Sequence, residues 1–399
     1  MKKIILIMLC FSSLCAMAQK NKNSLAMKKL IADNFEFAVK QYRILEKNTA
    51  QDSLPRTFEK NRNKSSDIYW WCSGFYPGSL FYIYEYTKNP IILSDAKKRL
   101  ALLNPVQNYT GNHDLGFMMY CSYGNAYRLL KDPAYKDIIV QSSRSLITRY
   151  RPNAKVIQSW DIDEEMKKKG FIGPVIIDNM MNLEMLEWAS QNSNDKSFAA
   201  IARNHANTTL KNHFRADYSS YHVVDYNFST GEVRKKITHQ GAADESAWSR
   251  GQTWGLYGYT MMYRFTKDPA YLKLARNIAK FILNHPNLPK DKVPYWDFVA
   301  PGIPNALRDV SSASLLASSL LELGQYTSGN EKQNYIDVAG TILKSLSSPA
   351  YRAKEGTNGG YLLMHSVGTI PGNNEIDVPL TYADYYFLEA LLRYKKWYL

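Results

Sequence analysis

A repeated helical hairpin constrains the fold of this chain more than any other feature of its sequence. Residues 115–150 and 254–284 each contain an aromatic-rich segment, the string Lys-Asp-Pro-Ala-Tyr and an amphipathic segment, in that order. The string occupies positions 131–135 and 267–271. Because Asp is a favoured N-cap and Pro suits the first helical turn, each string predicts a turn that opens a new helix.

Twelve helices of two kinds follow from this pattern and its weaker repeats. Six segments are rich in small and aromatic residues, which is typical of helices buried on both sides: 77–86, 117–130, 179–190, 252–265, 312–323 and 382–394. Six amphipathic segments carry Lys and Arg, which is typical of an outer layer: 25–47, 91–103, 134–150, 196–213, 270–284 and 332–347. Twelve alternating inner and outer helices that close into a ring form an all-α (α/α)6 barrel. A helical solenoid is the alternative, but the non-uniform inner helices and long irregular loops favour closure.

The composition and the loops agree with a single globular unit. With 45% hydrophobic and 22% charged residues, the chain has an ordinary globular composition, and no second long apolar run suggests a multi-span membrane protein. No low-complexity linker interrupts the helical pattern, so we predict one domain over residues 19–399. A short β-hairpin is predicted within 218–238, where Tyr-His-Val-Val-Asp-Tyr precedes Ser-Thr-Gly-Glu.

The N-terminal residues predict export. Two lysines precede the apolar run 4–14, and Ala-Met-Ala follows at 16–18. This is the pattern of a secretory signal with cleavage after Ala18. Cys15 could belong to a lipoprotein signal, but the preceding Leu14 is bulky where a small residue is expected. We therefore predict that residues 1–18 are a signal peptide and that the mature protein is periplasmic, with no membrane contact after their removal.

The net charge indicates the kind of binding partner, and the cysteine content indicates whether the mature chain contains a disulfide. Fifty Lys and Arg against 36 Asp and Glu give a net charge of +14, which favours an anionic partner. The basic residues are scattered and no nucleic-acid motif is present, so we expect no nucleic-acid partner. Cys72 and Cys121 remain after signal cleavage, and we expect two buried thiols, although export also permits a disulfide. The oligomeric state is left open.

Two acids precede predicted inner helices, where the ends of such helices would crowd together. Asp114 lies in His-Asp-Leu-Gly-Phe, and Asp178 lies in Ile-Ile-Asp-Asn-Met-Met-Asn. Each could simply cap its helix. In apolar surroundings, however, burial raises the pKa of a carboxyl and prepares it to donate a proton near neutral pH. Two such acids facing one pocket predict acid–base chemistry on a glycosidic bond.

A Trp-Ser-Arg-Gly-Gln-Thr-Trp string is the third candidate region. Arg250 lies between Trp248 and Trp254, so the arginine could bind a substrate carboxylate and a tryptophan could stack on a sugar ring. The alternative is an arginine that supports backbone carbonyls at a helix start. His222 lies in a strand-like string and could act as a hydrogen-bonding group, a general base or a structural residue. No histidine or cysteine spacing indicates a metal site.

Together these strings resemble the unsaturated glucuronyl hydrolases of glycoside hydrolase family 88. The order of His-Asp-Leu-Gly-Phe, Asp-Asn-Met-Met-Asn, Tyr-His-Val-Val, His-Gln-Gly, Trp-Ser-Arg-Gly-Gln-Thr-Trp-Gly-Leu-Tyr-Gly and Tyr-Ala-Asp-Tyr-Tyr-Phe-Leu-Glu-Ala carries the resemblance, over essentially the whole mature chain. It implies an (α/α)6 barrel that removes the 4,5-unsaturated uronic acid from the non-reducing end of oligosaccharides released by polysaccharide lyases. It also implies that no metal or organic cofactor takes part.

The resemblance also implies roles for individual residues. Asp178 matches the acid/base of the family, which protonates C4 of the vinyl ether and then assists addition of water at C5. Asp114 matches the second essential aspartate. The implied substrate-binding residues are His113, His222, Thr238, Gln240, Trp248, Arg250 and Trp254. Trp71 and Trp160 are weaker candidates for walls of the sugar subsites.

One loop leaves the aglycone open. Residues 365–377 carry two acids and no lysine, unlike the Ser- and Lys-bearing loop that reads a sulfated hexosamine in some family members. Chondroitin, hyaluronan, heparin-type and plant or algal uronides all remain possible sources of substrate. The alternatives to the glucuronyl hydrolase are an unsaturated rhamnogalacturonyl hydrolase, an (α/α)6 sugar epimerase and a non-catalytic periplasmic glycan-binding protein.

Overall fold

The computed structural model describes the backbone of residues 2–399 and the side chains of residues 24–164 and 166–399. The predicted signal peptide, residues 1–18, lies outside the residues whose side chains are described. Within the described chain the α-helices are α1 (Lys2–Asn48), α2 (Phe75–Thr87), α3 (Pro90–Leu102), α4 (Asn125–Leu130), α5 (Pro133–Ile147), α6 (Glu164–Lys168), α7 (Leu183–Asn192), α8 (Ser197–Asn212), α9 (Ser249–Thr266), α10 (Pro269–Asn284), α11 (Val310–Leu323), α12 (Gly329–Leu346) and α13 (Thr381–Tyr398). A π-helical segment, Gly116–Gly124, runs into α4, and a 3₁₀ segment, Ile177–Asn182, runs into α7.

The inner helices form a closed ring. Going round it, α2 packs against the π-helical segment, this segment against α7, α7 against α9, α9 against α11 and α11 against α13. Helix α13 then packs against α2. Because the last inner helix contacts the first, the structure is a closed (α/α)6 barrel and not an open solenoid. The fold prediction is confirmed, whereas the extent of the single predicted domain stays a prediction.

The repeated strings do open helices, as predicted. The side chains of Asn89, Asp132 and Asp268 each accept a hydrogen bond from a backbone N–H in the first turn of the next helix, and each is followed by Pro. The lysine before each cap has φ between +56° and +59°, which ends the preceding helix in the left-handed region. These short local signals therefore set the boundaries of α3, α5 and α10.

Short antiparallel strands lie in the loops between the helices. They are β1 (Leu54–Glu59), β2 (Arg62–Ser66), β3 (Tyr150–Arg151), β4 (Val156–Ile157), β5 (Pro174–Ile176), β6 (Val223–Tyr226), β7 (Val233–Ile237), β8 (Ser366–Thr369) and β9 (Asn374–Val378). Strands β6 and β7 form the predicted hairpin, with Val223 opposite Ile237. Strand β5 pairs with β6 and leads directly into the 3₁₀ segment that carries Asp178. The sheet therefore fixes where that acid enters the barrel.

A glycine lets the two helices that follow the candidate acids approach closely. A Cβ on Gly116 would lie 2.5 Å from Asn182 Cα, which is closer than real Cβ contacts. The amide oxygen of Asn182 accepts a hydrogen bond from Phe117 N over 3.1 Å. Any larger residue at 116 would push these two segments apart and with them the acids that precede them.

Both cysteines of the predicted mature chain are unpaired. Cys72 is buried and Cys121 is half-buried, and burial raises the pKa of each thiol. The expectation of two thiols is therefore correct, although Cys121 is less enclosed than expected. In the part of the chain that the structure describes, every helix is too short or too polar to cross a bilayer.

Candidate active site

The loops at the N-terminal ends of the inner helices enclose a cleft of about 320 Å³. Its wall includes Asp114, Asp178, Gln240 and Arg250. Asp114 lies just before the π-helical segment, Asp178 lies in the 3₁₀ segment, and Arg250 lies in the first turn of α9. These residues are distant in sequence, but the ring of helices brings their N-terminal ends to one place.

The two acids of the cleft are buried and lack a cationic hydrogen-bond partner among the described residues. Asp114 is 8% exposed and Asp178 is 9% exposed. Burial, together with the nearby charge of Asp178, raises the pKa of Asp114 to about 8. Burial raises the pKa of Asp178 to about 7, although Arg250 and Trp254 act in the opposite direction. At neutral pH the pair can therefore hold a proton for transfer to a bound molecule.

His222 lies next to Asp178 in one defined tautomer. Its Nδ1 accepts hydrogen bonds from the backbone N–H groups of His239 and Gln240, both over 3.1 Å. Burial holds the pKa of His222 well below its usual range, so the ring is neutral and its proton resides on Nε2. That nitrogen lies 3.6 Å from Asp178 Oδ2. The geometry fits a hydrogen-bond donor and leaves no ring lone pair for a general base.

Arg250 is held largely by the protein itself. Its Nη1 donates to Asp309 Oδ2 over 3.0 Å and to the Val367 carbonyl over 2.5 Å, while Nη2 donates to the Gly368 carbonyl over 2.8 Å. Among the described residues, none accepts the second hydrogen on Nη2 or the hydrogen on Nε, so these two of its five hydrogens are available to a ligand. Asp309 and strand β8 therefore occupy most of the guanidinium, as in the alternative of an arginine that supports backbone carbonyls, and binding of a substrate carboxylate by Arg250 stays a prediction.

Comparison with known proteins decides the family. No protein-family model matches the chain. The chain is 47% identical over 326 residues to an unsaturated glucuronyl hydrolase from Formosa agariphila, covering 81% of this chain and 79% of that protein. This chain belongs to the unsaturated glucuronyl hydrolases.

Two further relatives agree with that assignment. An unsaturated chondroitin disaccharide hydrolase from Streptococcus pyogenes is 31% identical over 373 residues, covering 92% of each chain. A crystal structure of an unsaturated glucuronyl hydrolase specific for heparin superposes with a TM-score of 0.88 and 43% identity, covering 92% of this chain and 97% of that one. The protein is therefore a glycosidase on an (α/α)6 barrel, which leaves the epimerase and binding-protein alternatives without support.

Two tryptophans of this hydrolase lie behind the cleft. Trp254 is 1% exposed and packs against Phe117 and Tyr386, and its indole N–H lowers the pKa of Asp178. Trp248 is 3% exposed, and its ring packs against the imidazole ring of His222 and the guanidinium of Arg250. Stacking of either ring on a sugar was expected and is wrong, because both faces of the start of α9 are buried.

Two other expected substrate contacts, one buried and one half-buried, are absent from the wall of the cleft. His113 is 0% exposed, its Nε2 lies 3.4 Å from Asp114 Oδ1, and burial lowers its pKa to about 3. Thr238 Oγ1 accepts a hydrogen bond from Gly241 N and so shapes the turn that carries Gln240. Neither residue is part of the wall of the cleft, and their predicted contact with substrate stays a prediction.

The remaining wall is largely aromatic. Trp71 and Trp160, the two weaker candidates, both line the cleft, and Trp160 packs against His239 with ring centroids 5.1 Å apart. Sequence reasoning did not single out Glu375, Tyr382 or the individual role of Trp70, which also line it. Two of these residues could have been predicted: Trp70 from its position beside Trp71, and Glu375 as one of the two acids of the 365–377 loop.

No cluster of three or more His, Cys, Asp or Glu side chains suitable for a metal ion is present among the described residues. What the cleft offers instead is two buried protonatable carboxyls, a neutral imidazole N–H and one partly available guanidinium. These groups can donate a proton, accept it back and hold an anionic sugar.

Proposed function

We propose that this hydrolase removes the 4,5-unsaturated uronic acid from the non-reducing end of glycosaminoglycan oligosaccharides that polysaccharide lyases release. The observation that carries the proposal is the pair of buried acids in an aromatic-walled cleft, with the pKa of Asp178 raised to about 7. The names of its relatives, which refer to chondroitin disaccharides and to heparin, support this substrate class.

In the proposed reaction, protonated Asp178 donates its proton to C4 of the vinyl ether. Positive charge develops at C5 and is stabilised by the ring oxygen. The Asp178 carboxylate then removes a proton from water as the water oxygen bonds to C5. The resulting C5 hemiketal opens by breaking the bond between C5 and the ring oxygen, which leaves a ketone at C5 and a hydroxyl at C1. The C1 hemiacetal then becomes an aldehyde as the bond from C1 to the aglycone oxygen breaks, and the aglycone leaves with the proton of the C1 hydroxyl. The net change is the addition of one water molecule, and Asp178 ends protonated as it began.

The neighbouring groups have supporting roles in this scheme. Protonated Asp114, with its pKa raised to about 8, donates a hydrogen bond to a ring hydroxyl and does not add a second negative charge beside Asp178. The Nε2–H of His222 faces Asp178 Oδ2 and stabilises the carboxylate after proton transfer. The free hydrogens of Arg250 and the amide of Gln240 bind the uronate carboxylate.

We further propose that the protein is exported to the periplasm. The support is the sequence of residues 1–18 alone, with its lysines, apolar run and Ala-Met-Ala site. A location beside secreted lyases would bring the enzyme to their unsaturated products. N-terminal sequencing of protein recovered from the periplasmic fraction is expected to begin at Gln19. Recovery from the cytoplasm with Met1 retained would contradict the proposal.

The activity has a direct optical test. The conjugated C4=C5 acid absorbs in the near ultraviolet, and hydration removes that absorbance. Purified mature protein is mixed with unsaturated disaccharides prepared from chondroitin, hyaluronan, heparin and pectin by lyases. We expect loss of absorbance with the glycosaminoglycan members. Turnover of only the pectin-derived member would favour the rhamnogalacturonyl alternative, and no turnover by folded protein would overturn the proposal.

A further inference from the structure

A hydrogen-bonded connection joins the residue next to Asp178 to the outer layer of the barrel. Asn179 is 0% exposed, and its Nδ2 donates to the Ile157 carbonyl on β4 over 2.8 Å. The N–H of Ile157 donates in turn to Nδ1 of His205 over 3.0 Å. His205 lies on the outer helix α8 and is also 0% exposed. We call this connection, formed by Asn179, the Ile157 backbone and His205, the β4 bridge.

The β4 bridge uses the free edge of a short strand. Within the described chain, β4 pairs with β3 alone, so one of its edges has no neighbouring strand. At that edge both backbone groups of Ile157 bind side chains, one from the 3₁₀ segment and one from α8. A buried backbone group that loses its partner is costly, so neither bond breaks freely. The bridge therefore fixes the 3₁₀ segment relative to α8.

The inner end of the β4 bridge adjoins both acids of the cleft. Asn179 follows Asp178 directly, so a fixed Asn179 side chain also fixes the peptide that carries this acid. Burial lowers the pKa of His113 to about 3, and a contact with the Asn179 side chain acts in the opposite direction. His113 Nε2 lies 3.4 Å from Asp114 Oδ1. One buried amide is therefore next to Asp178 in the chain and only one side chain away from Asp114.

The outer end of the β4 bridge has a single protonation state. Because His205 Nδ1 accepts the hydrogen bond from Ile157 N, the neutral ring carries its proton on Nε2. Burial lowers the pKa of His205 to about 3, so the ring is neutral wherever Asp178 titrates. His205 therefore presents a lone pair to β4 throughout the working range and takes no part in proton transfer.

We propose that Asn179 and His205 are positioning residues, which hold the Asp178 carboxyl at its depth in the barrel through the β4 bridge. Neither residue is part of the wall of the cleft, so each acts through Asp178. This inference rests on the proposed function and adds two residues to its machinery. Without the bridge the 3₁₀ segment can shift towards solvent, and a carboxyl that is less buried has a lower pKa. A displaced acid is also a poorer donor, because a misplacement of about 1 Å costs about 10²-fold in rate.

The test uses two replacements of His205 that differ in one hydrogen bond. His205→Asn places an amide oxygen near the position of Nδ1, where it can accept from Ile157 N. His205→Leu fills the site without an acceptor. In the near-ultraviolet assay we expect His205→Leu to lower kcat by roughly tenfold, with KM within about twofold of wild type. We expect the alkaline limb of its kcat/KM profile to move down by about half a pH unit, and His205→Asn to recover most of both changes.

The position of the alkaline limb reports on Asp178 itself. Among the described residues, Asp114, His222, Arg250 and the indole of Trp254 face this acid, and neither replacement changes them. Wild-type kcat and an unmoved limb in His205→Leu would overturn the inference. Failure of His205→Asn to recover activity would also overturn it, because the hydrogen bond would then not be the cause.

Phe198→Leu is the control variant on the same helix. Phe198 is 0% exposed on α8 and takes no part in the β4 bridge. Its replacement removes buried volume and lowers stability, and we expect its kcat and its alkaline limb to match those of the wild type. Equal changes in Phe198→Leu and His205→Leu would mean that lost stability explains both, and the inference would be wrong.

Two further measurements apply even where His205→Leu fails to fold. Asn179→Ala breaks the bridge on the other side of Ile157, and we expect the same lowered kcat and the same shift of the limb. In wild-type protein with isotope-labelled histidine, proton–nitrogen NMR reports the tautomer of each ring. We expect the His205 signal, assigned by its absence from His205→Asn, to show the proton on Nε2 at neutral pH. A proton on Nδ1 would overturn the inference.

The outcomes separate this inference from the proposed function. Turnover by the wild type, with unaltered kinetics in a folded His205→Leu or Asn179→Ala variant, overturns the inference alone. Absence of turnover of the whole disaccharide panel by folded wild-type protein overturns the proposed function and this inference with it.

Discussion

The two ends of the barrel treat buried acids in opposite ways. At the cleft end, Asp114 and Asp178 are buried without a cationic hydrogen-bond partner, and the pKa of each is raised. At the other end, Arg393 forms ion pairs with two acids: its Nη1 lies 3.0 Å from Glu322 Oε2 and its Nη2 lies 3.4 Å from Glu389 Oε1. Paired acids hold the helices together, whereas unpaired ones store a proton.

The comparison also shows that cavity size does not locate the active site. The opposite end contains a cavity of about 670 Å³, twice the volume of the cleft. Its wall includes Glu184, Arg264, Glu389 and Arg393, and these side chains are bonded to one another or to further ion-pair partners. A ligand there would have to break existing ion pairs. In the smaller cleft, by contrast, Asp178 Oδ2 has no hydrogen-bond partner among the described residues, so a ligand could contact it without breaking an ion pair.

The largest expected effect is a loss of kcat when an acid of the cleft is replaced, compared with replacement of an acid at the opposite end of the barrel. Asp178→Asn keeps the size of the side chain but cannot donate the proton, so we expect kcat to fall by roughly 10³-fold while substrate binding is retained. The measurement is the near-ultraviolet assay with binding followed by calorimetry. Glu389→Gln is the control at the opposite end, and its kcat is expected to stay within a few-fold of wild type. Wild-type kcat in Asp178→Asn would refute the acid/base assignment.

The second prediction concerns stability: a change at the opposite end of the barrel is expected to lower the free energy of unfolding and to leave kcat nearly unchanged. Arg393→Met leaves Glu322 and Glu389 buried without this partner, and we expect the free energy of unfolding to fall by about 3–5 kcal/mol. Urea unfolding followed by circular dichroism measures the loss. At temperatures where the variant is folded, its kcat is expected to be near wild type. A loss below 1 kcal/mol would mean that the opposite end does not depend on this network.

The third prediction concerns pH. The folded-state pKa of Asp178, about 7, lies above the usual value, so the folded protein binds this proton more tightly than the unfolded chain does. Its contribution is therefore fully present below the unfolded pKa of about 3.9 and is lost as pH rises towards 7. We expect Asp178→Asn to be more stable than wild type by about 1–3 kcal/mol at pH 8 and no more stable at pH 4.

Urea unfolding of both proteins at the two pH values measures that difference, with Asp377→Asn as the control. The pKa of Asp377 is lowered by its hydrogen bond to His365, so its removal is expected to give no gain at pH 8. In the wild type, kcat/KM is also expected to fall as pH rises above about 7, because the proton donor is lost. Equal stability of Asp178→Asn and wild type at pH 8 would mean that Asp178 carries no burial penalty.

The sequence predicted the helices and the acids because their signals are local. A cap such as Asp132 and the Pro that follows it act within one helical turn. Asp178 directly follows an apolar run, and burial of that run places Asp178 inside the barrel. The burial of Trp254 could not be predicted, because an inner helix is apolar on all sides and does not reveal which face meets the cleft. The Arg56–Glu375 contact joins residues 319 positions apart, so no local pattern announces it.

The smallest expected effect is that of replacing His222. This buried side chain is half-way between the paired and the unpaired acids, because its Nδ1 accepts hydrogen bonds whereas its Nε2 faces Asp178 without a hydrogen-bond partner among the described residues. We expect His222→Ala to lower kcat by roughly tenfold, the value of one hydrogen bond to a charged group. His222→Gln can return an N–H to the Nε2 position and is expected to recover part of that loss. The kcat profile against pH is expected to keep the same alkaline limb in both variants, because a neutral donor does not titrate in that range.

If His222 acted as the base, the two variants would lose activity equally and an acidic limb present in the wild type would disappear. That outcome would require a ring lone pair at Nε2, in conflict with the two backbone N–H groups that bind Nδ1.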